Sequence, residues 1–197
     1  MDPVKSALVI VCFLILLGSK ASALEPTPDE LAVYRVVFAG EKLVVLRDAG
    51  TIAEDKKAYP DSFVARLRKQ LPTAQESTIA SFLPHRVTAL LNATSDIGVP
   101  IVMLDAETDK KLYGRGGFGI IVQSERARTN AWSAFLWHYH KARAATWITR
   151  VGFNSDATQA LLYLQQTTGP EIGDERNNVL LDLRNGIWTI TKKEQDQ

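Results

Sequence analysis

The chain has 197 residues, with 23 Lys or Arg and 22 Asp or Glu, so its formal net charge is +1. This balance excludes the basic excess with which nucleic-acid-binding proteins neutralise phosphates. The one cysteine of the sequence, Cys12, lies inside an N-terminal apolar run. The remainder of the chain therefore has no disulfide, no cysteine nucleophile and no thiolate metal site.

Residues 1–23 have the pattern of a signal peptide. Lys5 supplies a positive charge, residues 7–17 are apolar, and Ala21-Ser22-Ala23 fits a signal-peptidase site. An uncleaved membrane anchor is the alternative, but the apolar run is short of the roughly 20 residues that span a bilayer. We expect cleavage before Leu24 and an exported, periplasmic or extracellular protein. Residues 24–197 are then long enough for a single α+β domain.

Helical and extended patterns alternate in the N-terminal half. Thr27, Pro28 and Glu30 form a capping-box pattern that predicts a helix, which Gly40 ends, and residues 42–48 predict a strand. The other elements predicted here are a helix from Asp61 to Pro72, a helix over 77–91 interrupted at Pro84, and a strand over 99–104.

Residues 113–122 contain four glycines but do not predict a nucleotide site. Neither G-x-G-x-x-G nor a Gly-Lys-Ser/Thr ending is present, and the glycines precede an apolar β-type run. A tight turn leading into a strand is the better interpretation. Thr129 or Asn130 is predicted to cap the following aromatic-rich helix.

The C-terminal third predicts an antiparallel meander of about four strands. Asn185-Gly186 is a strong hairpin signal. The predicted fold is therefore α+β, with N-terminal and central helices packed on this meander. The predicted strands are Thr146–Phe153, Thr158–Gln166, Asn178–Leu183 and Ile187–Lys192.

Residues 147–153 would place alternate side chains on opposite faces of a strand. Trp147, Thr149, Val151 and Phe153 would share the buried face, and Arg150 would stand on the other face beside Gly152. Gly152 would admit a bulge or a close neighbouring backbone or ring, such as Tyr163 on the next strand. Asn154-Ser155-Asp156 is typical turn chemistry. Arg150 is predicted to be a structural ion-pair or hydrogen-bond hub in preference to a catalytic group.

No motif predicts a reaction, a metal or a cofactor. His138 and His140 are two residues apart and diverge on a helix, whereas a helical metal pair needs i, i+4 spacing. There is no G-x-S-x-G elbow. The acidic pairs Asp105/Glu107 and Asp174/Glu175 are explained as solvated loop or strand-end residues.

The C-terminal segment over 132–191 resembles a group of exported bacterial proteins of uncharacterised function. The shared features are an aromatic-rich helix, an S-R-V-G-F-N strand, a Q-A-L-V-Y strand and an N-G-x-W hairpin. The matching positions are Arg150-Val151-Gly152-Phe153-Asn154, Gln159-Ala160-Leu161 and Asn185-Gly186-Ile187-Trp188. The resemblance implies export and architecture. It implies no reaction, and the cysteine that some of the group carry in a glycine-rich link is absent here.

Two functional hypotheses follow. The favoured one is a non-enzymatic binding or envelope-associated module, with an unknown protein or small-molecule partner, no nucleic acid, and membrane contact only through the signal segment before cleavage. The alternative is a small hydrolase or ligand-binding domain with a pocket between sheet and helices. Its ligand-binding candidates are His138, Arg150 and Asn154, which should then converge on one pocket.

Overall fold

The computed structural model describes residues 25–47, 61–86, 88–89, 91–113, 125–170 and 174–196. These residues form a mixed α/β structure of five α-helices and seven strands. The helices are α1 (Pro28–Val37), α2 (Asp61–Gln70), α3 (Glu76–Phe82), which continues into a 3-10 turn (Leu83–His85), α4 (Ala106–Tyr113) and α5 (Glu125–His138). The strands are β1 (Val44–Leu46), β2 (Ile101–Met103), β3 (Ala145–Ile148), β4 (Gly152–Phe153), β5 (Gln159–Thr167), β6 (Asp174–Arg184) and β7 (Ile187–Gln195).

All seven strands belong to one sheet. Its order is β2-β1-β3-β5-β6-β7, and β4 also pairs with β5. β1 runs parallel to β2 and β3, whereas β3, β4, β5, β6 and β7 are joined by antiparallel pairings. The predicted C-terminal meander of about four strands is right in part: its antiparallel strands are found as β3 to β7, because the first predicted strand is divided into β3 and β4, and β1 and β2 join the same sheet. The two three-residue strands β1 and β2 join by parallel pairing to residues far along the chain, which local alternation cannot reveal.

Helices cover both faces of the sheet. The α1 side chains Val33 and Tyr34 pack against Leu162 and Leu164 of β5 in one buried cluster. Because side chains alternate along a strand, Leu161 and Tyr163 face the other way, where α2 and α3 pack on them. On that second face α5 covers β1 and β3 through Trp132 and Phe135. β5 is thus buried on both faces, which explains its nearly continuous apolar sequence.

The capping box at the start of α1 is confirmed. The Thr27 hydroxyl accepts a hydrogen bond from the Glu30 backbone N at 3.2 Å, and the Glu30 carboxylate accepts one from the Thr27 backbone N at 2.9 Å. Pro28 stands at the first helical position. These bonds fix the position of Glu30 on the buried side of the helix, where only 2% of the residue is exposed.

Three helix predictions need correction. The predicted interruption at Pro84 is confirmed, since α3 ends at Phe82 and a 3-10 turn ends at His85, but the helix does not resume towards residue 91 as predicted. α4 was not predicted: Asp105 caps it by accepting a hydrogen bond from the Thr108 backbone N at 2.8 Å, and Glu107 lies inside it. α5 begins at Glu125 and not at Thr129 or Asn130. The glycine-rich residues 114–122 lie outside the described residues.

A β-bulge interrupts the predicted strand Thr146–Phe153. Ile148 pairs with Leu164 and Gly152 pairs with Leu161. The three residues 149–151 of this segment therefore lie opposite only two residues of β5, 162 and 163. A bulge shifts the alternation of side chains by one position. Val151 consequently packs in the same cluster as Ile148, and the predicted buried set of Trp147, Thr149, Val151 and Phe153 on one face is wrong.

The other strand boundaries differ less from their predictions. β6 begins at Asp174, so Asp174 and Glu175 lie at a strand end, one of the two predicted placements. The Asn185-Gly186 hairpin is confirmed, with positive φ at both residues (53° and 77°), as a type I′ turn requires. Phe153 and Trp188 are half-buried, and their rings contact each other at an angle of 54° with centroids 5.8 Å apart.

Candidate functional site

Arg150 forms a bidentate ion pair with Glu30. Its Nε and Nη2 donate to the two carboxylate oxygens of Glu30 at 2.9 and 2.6 Å. The side chains are 16% and 3% exposed, so water reaches little of the pair. The bulge aims Arg150 at α1, because it moves Arg150 out of the regular alternation. The pair therefore ties the first helix to the middle of the sheet.

Glu30 is saturated with donors. Besides Arg150, its carboxylate accepts from the Thr27 backbone N and, at 3.3 Å, from the Val151 backbone N. Burial opposes the ionisation of Glu30, but these hydrogen bonds outweigh burial and hold the pKa of Glu30 below its ordinary value. The same contact with Glu30 raises the pKa of Arg150. Both groups are charged and paired, so neither is poised for proton transfer.

Tyr34 and Thr149 complete the contacts around the bulge. The Tyr34 hydroxyl donates to the Thr149 carbonyl at 3.0 Å, and the Thr149 hydroxyl accepts from the Tyr163 backbone N at 2.9 Å. Burial, followed by the neighbouring Glu30 charge, raises the pKa of Tyr34 well above its ordinary value. A tyrosine so held donates a hydrogen bond and does not ionise near neutral pH.

Asn154 stabilises the turn between β4 and β5. Its Oδ1 accepts from the backbone N of Thr158 and Gln159 at 2.9 and 2.8 Å. Its Nδ2 donates to the Gln75 side chain and to the Thr158 hydroxyl, both at 3.0 Å. The residue is only 4% exposed. All its hydrogen-bonding groups are used internally, which leaves none for a ligand.

Gln159 attaches the start of α3 to the sheet and was missed as a functional or structural centre. Its Oε1 accepts from the Gln75 backbone N and the Thr78 hydroxyl at 2.6 and 2.9 Å. Its Nε2 donates to the Thr73 carbonyl and to Asp182 at 3.2 and 3.0 Å. A glutamine at the first position of an apolar strand was the available signal, since a buried amide needs partners.

Gly152 lies against the other end of α3. A Cβ at Gly152 would come under 3.0 Å from the backbone N and Cα of Phe82 and 2.7 Å from its Cβ. The predicted close neighbour is therefore present, but it is the helix backbone at Phe82 and not the Tyr163 ring. Asn154, Gln159 and Gly152 together position α3 on the sheet.

His138 lies apart from these residues. It is exposed at the end of α5 and contacts the Tyr139 ring edge-on, with centroids 5.2 Å apart. The structure thus brings Arg150 and Asn154 onto internal contacts and leaves His138 on the surface. The three candidate ligand-binding residues do not converge.

The clefts in the described part of the chain include two of modest size. The first, of about 120 Å³, lies beside β1 and β2 near Arg47 and Met103. The second, of about 220 Å³, opens beside β7, where Ile190 and Lys193 line it together with Val37 of α1. His138, Arg150 and Asn154 line neither cleft. Both are smaller than the roughly 300 Å³ at the lower end of small-molecule pockets.

The described residues contain neither a metal-binding cluster nor a helix that could span a membrane. No group of three His, Cys, Asp or Glu side chains there has an arrangement that could hold a metal ion. No helix in the same ranges has the length and apolar character needed to cross a bilayer.

β7 forms one edge of the sheet. Among the described residues, no strand pairs with its outer side. It has nine residues, whereas β2 at the opposite edge has three. The residues that flank a two-residue hairpin turn are hydrogen-bonded to each other, so by alternation the backbone groups of Trp188 and Ile190 point away from β6.

Comparison with known proteins assigns no family. No protein-family profile matches the chain, and neither a curated protein nor a solved structure matches it significantly. The resemblance of residues 132–191 to exported bacterial proteins therefore stays a prediction.

Proposed function

We propose that this chain is an exported, non-enzymatic binding module that takes up an extended segment of a partner protein along the outer edge of β7. The observation that carries the proposal is the contrast between the candidate ligand-binding residues and the outer edge of β7. Arg150 and Asn154 are engaged in internal contacts, whereas the nine-residue strand β7, bulged between Ile190 and Lys192, has no strand on its outer side in the described part of the chain.

An edge of this length supports binding by strand addition. Main-chain hydrogen bonds to an added strand provide affinity, and pockets beside the edge provide specificity. The cleft of about 220 Å³ extends over the sheet from Arg143 and Leu164 and adjoins this edge at one end, at Ile190 and Lys193. Ile187 is 68% exposed and Ile190 39% exposed, so an added strand would also cover apolar surface that β7 leaves in water.

Charge favours an acidic partner over a second copy of the chain. No described residue forms an ion pair with Lys193, while Lys192 pairs with Glu194 at 2.7 Å. Antiparallel pairing of two β7 strands about a point between Lys192 and Lys193 would place Lys192 of each copy directly opposite Lys193 of the other, and like charges directly opposite each other are destabilising. Lysines on an edge strand are a common protection against self-association. An extended segment with alternating apolar and acidic residues would meet Lys193 favourably.

The test is binding of labelled peptides to the protein purified in the form that accumulates in cells. An apolar/acidic alternating peptide should bind, and the same peptide with lysines for its acidic residues should bind at least about tenfold more weakly. Methylation of alternate peptide amides should abolish binding, since it removes main-chain donors. Equal binding of the methylated peptide, or no binding by any extended peptide, would overturn the proposal.

Two variants locate the site. Lys193→Glu should weaken binding of the acidic peptide about tenfold, while Lys110→Glu, an equal charge change on exposed α4, should leave it unchanged. Export has its own check, because N-terminal sequencing of the accumulated protein should begin at Leu24. A start at Met1 would contradict cleavage without affecting the binding result.

A further inference from the structure

We infer that the C-terminal end of α5 is a docking site for an anionic membrane surface. The inference starts from Trp137, which is 86% exposed and lies next to Leu136, which is 41% exposed. The buried side of α5 is formed by Trp132, Phe135 and Tyr139, which pack on β1 and β3. Trp137 therefore contributes nothing to that core and presents its indole ring to the surroundings.

The residues around Trp137 leave its ring uncovered. One turn earlier stand the exposed Ser133 and Ala134, and one turn later stand the exposed His140 and Lys141. Small and polar neighbours do not shield a large ring. Tryptophan is the side chain most suited to a membrane interface, because its ring is apolar and its N–H still bonds to headgroups and water.

The charge of this segment favours an anionic surface. No Asp or Glu occurs between Arg126 and Ser155, although the whole chain has nearly equal numbers of acids and bases. Lys141 is exposed, and Arg143 is 80% exposed with its nearest acid, Glu41, at 3.9 Å. Cations that flank an interfacial aromatic attract anionic lipid headgroups. This gives α5 a membrane contact independent of the N-terminal signal segment and of the β7 edge.

Tryptophan quenching by lipids with brominated acyl chains tests the inference. Residues 1–23 contain no tryptophan, so the signal segment cannot contribute to the signal even if it is retained. Trp132 and Trp147 are buried and Trp188 is half-buried, which leaves Trp137 as the exposed reporter. Vesicles rich in phosphatidylglycerol should quench the protein, and Trp137→Phe should remove most of the quenching. Vesicles of phosphatidylcholine alone should quench less.

Charge variants complete the test. Lys141→Glu with Arg143→Glu should reduce quenching by at least half, as should high salt. Lys69→Glu with Lys110→Glu makes the same charge change at exposed positions of α2 and α4 and should have little effect. Equal quenching in Trp137→Phe would overturn the inference, because another surface would then be docking. Absence of quenching would also overturn it, and a loss of self-association in Trp137→Phe would then identify a second copy as the occupant.

Discussion

The backbone of Phe82 occupies the space that a side chain at Gly152 would need. A Cβ there would lie 2.7 Å from the Phe82 Cβ and even closer to the Phe82 backbone. Because helix backbone cannot move aside as a flexible side chain can, α3 would have to leave the sheet. Residues at this contact, including Phe82 and Leu161, are fully buried.

Gly152→Ala should therefore destabilise the protein by about 3 kcal/mol, at the upper end of overpacking costs. The measurement is the free energy of unfolding in urea. Gly169→Ala is the matched control, since a Cβ there meets nothing within 4 Å. A stability of Gly152→Ala within about 0.5 kcal/mol of the unchanged chain, the usual range of surface substitutions, would contradict the close contact.

Asn154→Ala should cost about 2 kcal/mol, because it leaves the buried backbone N of Gln159 without its acceptor. Asn92 provides the comparison: its Oδ1 accepts from the Thr94 backbone N at 2.8 Å in an exposed turn. Water replaces that lost partner, so Asn92→Ala should cost less than about 1 kcal/mol. Thermal unfolding of both variants measures the difference. If Asn154→Ala instead kept full stability and lost binding, Asn154 would be a ligand residue.

Acid should weaken the fold through Glu30. The folded-state pKa of Glu30 is lowered, so the folded protein binds fewer protons than the unfolded chain near pH 4. The stabilisation is complete above the ordinary pKa of 4.5 and is lost as pH falls through the lower folded value. The advantage of the unchanged chain over Glu30→Gln should thus be largest near neutral pH and shrink on acidification. A constant difference across that range would contradict the ionised pair.

Asp105 adds a second acid-sensitive contribution. The Thr108 backbone N and hydroxyl, followed by Tyr139, lower the pKa of Asp105 from 3.8 to about 2. Its contribution should therefore persist below pH 4 and be lost towards pH 2. In a plot of the free energy of unfolding against pH, Asp105→Asn should remove the change between pH 4 and pH 2. The change that depends on Glu30 should remain.

Local chemistry made some elements predictable. The Thr27–Glu30 capping box and the Asn185-Gly186 hairpin each depend on residues a few positions apart, and both occur as predicted. Arg150 was predicted to form a structural ion pair or hydrogen-bond hub, and in the structure it pairs with Glu30. The identity of that partner could not be predicted, because 120 residues separate the two and no local pattern links them.

The features that could not be predicted from the sequence depend on contacts between residues far apart in the chain. The bulge at Arg150-Val151 shifts the alternation from Val151 onward, and only the pairing with β5 reveals it. β1 was predicted as a strand, but its parallel pairing with β2 and β3 depends on contacts across many tens of residues. Gln159 has partners on α3, on the preceding turn and on β6, which meet only after the helices pack.

That Arg150 and Glu30 form a structural pair, and not part of a binding site, is tested most directly by a double-mutant cycle. Glu30→Gln and Arg150→Gln should each cost about 3 kcal/mol in the free energy of unfolding, because each leaves a buried partner uncompensated. The double variant should cost clearly less than the sum, with a coupling energy of about 2 kcal/mol. A coupling energy below about 0.5 kcal/mol, together with unchanged stability of Arg150→Gln and loss of peptide binding, would contradict the structural role.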